Sequence, residues 1–321
     1  MVNGWARAAG LTLAALVLGL GPAPQASPYK PPSVMKTDCL GPMTFEDTFK
    51  SLDAGPDQIR PTKPRRWRTV YGYGGALAWD NRKGGRVAVA VDPSFAGVKA
   101  GVAGPASLGL NPFSTDPDTG ALVVRAQQTP AEMAPLLWNK PYTTGLLTTK
   151  FSFSQRYGYF EINAKLPKGK GLWPAFWLLP DAGQWPAGGE LDIFEQLGHE
   201  NETMYFSVHS GAQKTVANKV TLAADASRDF HLYGAAWTPS EVVWYVDRKE
   251  VARTTTPADM DKPMHMIIDL AVGGGWGGDP DETTKFPADL KVLGVRVWAL
   301  PGLDAKRAAS CEVAPGQQGD Q

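Results

Sequence analysis

Short runs in which apolar and polar residues alternate recur along this chain, each closed by glycine, proline or a small polar residue. RVAVAVDP (86–93), GALVVRA (120–126), GYFEINAKLP (158–167), TMYFSVHSG (203–211), EVVWYVDRKEVAR (241–253), MHMIIDLAVGG (264–274) and KVLGVRVWAL (291–300) all read this way. A period of two sends alternate side chains to opposite faces, so these runs predict strands. No long amphipathic helix separates them. Many short strands in one continuous stretch predict an all-β domain, a two-sheet antiparallel β-sandwich or jelly roll. The 35 Gly and 27 Pro supply the turns such a fold needs. Asp247, Arg248 and Lys249 read as the turn of one hairpin.

The pattern breaks at both ends. Arg7 precedes LTLAALVLGL (11–20), an apolar run too short to span a bilayer, and GPAPQASPYKPPS follows. Residues 1–26 are therefore expected to be an export signal, 27–35 a proline-rich linker, 36–312 the folded domain and 313–321 a polar tail. An export signal implies a secreted or periplasmic chain, where a cysteine pair can oxidise. The two cysteines, Cys39 and Cys311, flank the domain and are the candidate disulfide. The formal net charge is zero, which argues against nucleic acid or an anionic membrane as partner. Eleven tryptophans suit the flat apolar faces of sugars, although each also suits a core.

One run departs from simple alternation. GGELDIFEQ (188–196) carries Glu190, Asp192 and Glu195 among apolar residues. Glu190 and Asp192 share a strand face, but Glu195 is out of phase by one. A one-residue bulge after Asp192 restores the phase. The two glutamates then lie about 13 Å apart along the backbone. Their carboxyls can converge to about 5–6 Å, the spacing at which retaining glycosidases pair a nucleophile with an acid/base. Asp192 between them discourages all three from ionising together. Leu191, Ile193 and Phe194 fit the inner layer of a sandwich, and Trp173, Trp177 and Trp185 crowd the neighbourhood. A solvated acidic strand face is the plain alternative for the triplet taken alone.

The segments YGYFEINAKLPKGKGLWPAFWLLP (157–180) and WPAGGELDIFEQLG (185–198) resemble glycoside hydrolase family 16. So do FHLYGAAWTPSEVVWYVDRKEVAR (230–253) and DLAVGGGWGGDPDETTKFPADLKVLGVRVW (269–298). The bulged Glu-x-Asp-x-x-Glu resembles that family's laminarinase-like branch. The resemblance implies a concanavalin-like jelly roll, with Glu190 as nucleophile, Glu195 as general acid/base and Asp192 assisting. It implies substrate-binding roles for Trp173, Trp177, Trp185 and His209. A core histidine is the other reading of His209. Trp276 either lines the cleft or packs a loop. Many laminarinases carry Arg where YTTGLLTTKFSFSQ (142–155) has Leu146, and this wording is similar to secreted bacterial glycanases acting on succinoglycan-type exopolysaccharides. Family members often hold a structural calcium through an Asp of the final strand. Leu293 takes that place here, which argues against the ion. No cofactor is expected, and no cluster with metal-ligand spacing stands out.

The resulting expectation is a monomeric, secreted, retaining endo-β-glycanase. Its substrate would be a neutral polysaccharide, a β-glucan or a glucose-rich exopolysaccharide. A lectin-like binding module and a transglycosylase on the same fold are the alternatives.

Overall fold

The computed structural model describes residues 34–35, 40–56, 65–70, 87–97, 107–300 and 312–313. The expected export signal, most of the linker, Cys39, Cys311 and the polar tail beyond Val313 lie outside the described residues. Among the described residues two sheets face one another, as the alternation predicts.

The cleft-bearing sheet runs, in spatial order, through strands Val216–Thr221, Thr203–His209, Glu190–Glu195, Leu172–Pro180, Met264–Val272, Leu146–Thr148, Trp67–Arg68 and Ala54–Gly55. The backing sheet is built around Gly158–Lys165, which pairs with His231–Trp237 on one side and Ala288–Trp298 on the other. Most pairings are antiparallel. Two short ones are parallel: Ala54–Gly55 with Trp67–Arg68, and Ala88–Ala90 with Tyr142–Thr144. RVAVAVDP thus yields only a three-residue strand, Ala88–Ala90. The predicted hairpin is present, with Asp247 and Arg248 at its turn, both at positive φ (50° and 60°), while Lys249 already opens the next strand.

Every second residue of the facing strands enters one shared core. From the cleft-bearing sheet come Phe176, Leu178, Leu191, Ile193, Phe206, Ile268 and Leu270; from the backing sheet come Phe160, Ile162, Trp237, Trp244 and Val295. Burying such side chains stabilises by about 1.5–3 kcal/mol each before the entropy cost of ordering them. With the apolar face committed to this core, the opposite side chains of the cleft-bearing sheet are left to form an outward-facing cleft. That geometry places 190, 192 and 195 on the accessible side.

The pairing also fixes which strands flank the acids. Glu190 sits opposite His209 and Asp192 opposite Ser207 on one neighbour. On the other neighbour Asp192 lies opposite Trp177 and Glu195 opposite Ala175.

Candidate active site

The strand Glu190–Glu195 is entered through Gly188 and Gly189, both at positive φ (88° and 85°). A Cβ on Gly189 would come within 2.1 Å of Met260 Cγ, so the approach needs glycine for space as well as conformation. Between Asp192 and Glu195 the register slips by one residue against both neighbours. Phe194 remains opposite Phe176 while Asp192 is opposite Trp177, which makes Ile193 the extra residue. Its side chain and that of Phe194 are both fully buried. The bulge therefore keeps two successive apolar side chains in the core and returns Glu195 to the face of Glu190 and Asp192. A bulge leaves backbone groups without ladder partners, and these need other partners when buried. The Trp244 indole N–H, reaching across from the backing sheet, donates to the Asp192 carbonyl at 2.8 Å.

The three carboxyls open into a cleft of about 460 Å³ walled by Trp173, Trp177, Trp185, Tyr205, His209 and Trp276, with Asp269 on its floor. Trp185 Nε1 donates to Glu190 Oε2 at 2.5 Å, and Trp173 Nε1 donates to Glu195 Oε1 at 3.1 Å. Trp177 Nε1 donates to Asp269 Oδ1 at 2.9 Å. His209 Nε2 lies 3.3 Å from Asp192 Oδ2, and its Nδ1 is 3.2 Å from the Thr215 hydroxyl. Trp276 packs edge-on against both Trp173 and Tyr205 (centroids 5.0 and 4.6 Å) and stays 42% exposed. It thus both lines the cleft and packs its loop. His209 is partly exposed in the cleft rather than a core residue. All eight candidate residues converge here.

Sequence reading missed Asp269, Tyr205 and Ser207. Asp269 is 4% exposed and sits opposite Ala175, which in turn sits opposite Glu195. Its signal was a lone carboxylate in Met264–Val272, a strand buried at all nine positions. Tyr205 and Ser207 share strand parity with His209, which alone was singled out.

Burial and mutual repulsion govern the charges. Burial, then the neighbouring Asp192, pushes the Glu190 carboxyl up to about 8. Burial, then Glu190, pushes Glu195 up to about 7. Burial, then Glu195, holds Asp192 well above the usual carboxylate range. The triplet consequently keeps protons at neutral pH and shares them as a unit. For Glu190 to be the ionised member, the shared protons must rest on its neighbours. The Trp185 N–H lowers Glu190 while the Trp173 N–H lowers Glu195, and His209 lowers both, so these contacts do not by themselves select Glu190 as the ionised member.

These raised values have a stability consequence. Between the ordinary glutamate value of 4.5 and the raised value near 8, the folded chain binds more protons than the unfolded chain. Stability therefore falls as pH rises through that window. Glu190→Gln is expected to raise Tm at pH 8, by about 2–4 °C for each kcal/mol relieved, and to change it little near pH 4. Thermal scans at the two pH values check this.

A two-sheet jelly roll with carboxylates and tryptophans along one open face is the architecture of a carbohydrate-active protein. The family described as Glycosyl hydrolases family 16 matches residues 118–291, more than half of the chain, and the chain belongs to it. It is 35% identical over 260 residues to the endo-1,3-1,4-beta-glycanase ExsH of Rhizobium meliloti (strain 1021), covering 80% of this chain and 51% of that one. It is 41% identical over 194 residues to the endo-1,3-1,4-beta-glycanase EglC of the same strain, covering 59% of this chain and 40% of that one. The chain thus spans about half the length of these curated relatives or less. Among solved structures, the laminarinase catalytic domain of Thermotoga maritima MSB8 superposes with a TM-score of 0.64 at 29% identity, covering 80% of this chain and 98% of that one.

Proposed function

We propose that this chain is a retaining endo-β-glycanase that hydrolyses internal β-glucosidic bonds of a β-glucan or glucose-rich exopolysaccharide. The observation that carries the reading is the bulge at Ile193, which gathers Glu190, Asp192 and Glu195 on one face of an aromatic-walled cleft. Glu190 attacks the anomeric carbon while protonated Glu195 gives its proton to the departing oxygen. A covalent glycosyl-enzyme results. Glu195, now a base, takes a proton from water, which releases the sugar with its configuration retained. Asp192, 2% exposed, holds a proton beside Glu190 and keeps the nucleophile oriented. The indoles of Trp173 and Trp185 fix the two glutamates and offer apolar faces to sugar rings. The relatives named endo-1,3-1,4-beta-glycanases support this substrate class.

A panel of laminarin, lichenan and succinoglycan, with linkage analysis of the products, tests the reading. Internal cleavage of at least one is expected. Binding without cleavage of any would favour the lectin-like alternative.

The same reading places the chain outside the cytoplasm. The apolar run at 11–20 supports export, and no helix among the described residues is long and apolar enough to cross a membrane. The disulfide between Cys39 and Cys311 is part of the proposal. Val34–Met35, which ends four positions before Cys39, pairs with Glu312–Val313, which directly follows Cys311, so the two chain segments run side by side. A bridge closing so long a loop stabilises by about 4–5 kcal/mol in the chain-entropy picture. Thiol titration of unfolded, unreduced protein is expected to find no free thiol; two would refute the bridge.

A further inference from the structure

We propose that Glu190, Asp192 and His209 form a binding site for a divalent transition-metal ion of the zinc class, and that the bound ion blocks glycan hydrolysis. The blocking clause rests on the function proposed above; the binding clause does not.

One carboxylate oxygen from each acid and one imidazole nitrogen all lie within 4.8 Å of one another. Imidazole with carboxylates is a donor set that zinc accepts. Two ligands held about 2.1 Å from a tetrahedral zinc are about 3.4 Å apart. His209 Nε2 and Asp192 Oδ2 stand 3.3 Å apart, so two corners of such a site are already in place.

Asp192 Oδ2 supplies the second, separate indication. It is buried and has no hydrogen-bond partner, because its approach to His209 is not aligned as a hydrogen bond. A buried polar oxygen without a partner costs about 1–3 kcal/mol, and a cation that displaces the shared proton would remove that cost. Thr215 completes the arrangement. When its hydroxyl accepts from His209 Nδ1–H, Nε2 keeps its lone pair for an ion rather than a proton. A ligating histidine is ordinarily oriented by such a bond on its other nitrogen.

Glu190 Oε2 accepts the Trp185 N–H, and the carboxylate still has lone pairs to offer the ion. Trp185 is 64% exposed and stands at the mouth, so the path from solvent passes beside it. An ion held there takes the electron pairs with which Glu190 would attack carbon. Substrate and ion should therefore compete.

The test is calorimetric titration of the full chain with zinc chloride in a non-chelating buffer at pH 7, paired with initial rates on the best glucan. One ion per chain is expected, with a dissociation constant below about 1 mM. Inhibition should be competitive, with a constant within about threefold of the calorimetric one. His209→Asn should weaken the ion by at least about tenfold, and Thr215→Val, at an exposed position, by about tenfold through loss of orientation. Circular dichroism establishes that both variants fold. No binding, or equal binding to wild type and folded His209→Asn, would overturn the site. Binding without competition would overturn the blocking clause. If no glucan is hydrolysed, the heats still report the ion, so the two readings fail separately.

Discussion

Glu190→Gln should lose at least about 10⁴-fold in kcat on any substrate the wild type cleaves, with KM little changed. The amide is nearly the size of the carboxylate, and it can still accept the Trp185 N–H that now reaches Glu190 Oε2. It cannot form the glycosyl ester. Loss of rate without loss of binding is thus the signature of a nucleophile rather than a binding residue. Glu190→Ala should regain activity when azide is supplied, because a small anion can enter the space vacated and attack carbon directly. The product is then a glycosyl azide of inverted configuration, identifiable by NMR. Near-normal turnover by Glu190→Gln would remove Glu190 from the reaction.

Deletion of Ile193 should leave a folded protein with at least about 10²-fold less activity. The bulge gives the strand one residue more than its neighbours require, and Ile193 is that residue. Removing it restores plain alternation, which still points all three acids into the cleft. Closing the bulge leaves the pairing on either side in register but removes its local bend and extra twist, which shifts Glu195 and the Asp192 carbonyl relative to Trp173 and Trp244 that hold them. A displacement of about 1 Å at a reacting group can cost 10²-fold in rate. Loss of the buried isoleucine side chain should cost about 2–5 kcal/mol of stability as well. Urea unfolding followed by circular dichroism separates the two effects. A deletion variant with full activity would mean that the bulge does not set the geometry of the acids.

Much of this site was legible along one strand. The phase error between Asp192 and Glu195 predicted a bulge, and the register shows one there. Trp173 and Trp177 were legible because they lie on the adjacent strand and share parity, whereas Trp185, in the turn before the acids, was singled out by the family resemblance. What the chain order hides is the row across strands. Asp269 comes beside Glu195 only through Ala175, with the pairing of three strands deciding the contact. Trp244 has the pattern of an ordinary core residue, and nothing local says that its N–H supports the bulge. Position 293 shows the same limit. Gly294 pairs with Asn163 and Val292 with Ala164, so Leu293 is itself an unpaired residue in its strand, which alternation alone would not reveal. Short strands such as Ala54–Gly55 and Ala88–Ala90 depend on parallel neighbours distant in sequence, and a two- or three-residue run has no periodicity to read.

The central claim is that the bulged strand presents Glu190 as a nucleophile that becomes covalently glycosylated. The most direct measurement is peptide mass mapping after incubation with a 2-deoxy-2-fluoro-β-glucoside carrying an activated leaving group, on which the second step is slow. One sugar per chain is expected, on the peptide containing residues 190–195, with fragmentation placing the ester on Glu190 and the adduct absent from Glu190→Gln. An adduct on Asp192 or Glu195, or inactivation with no covalent sugar, would contradict it.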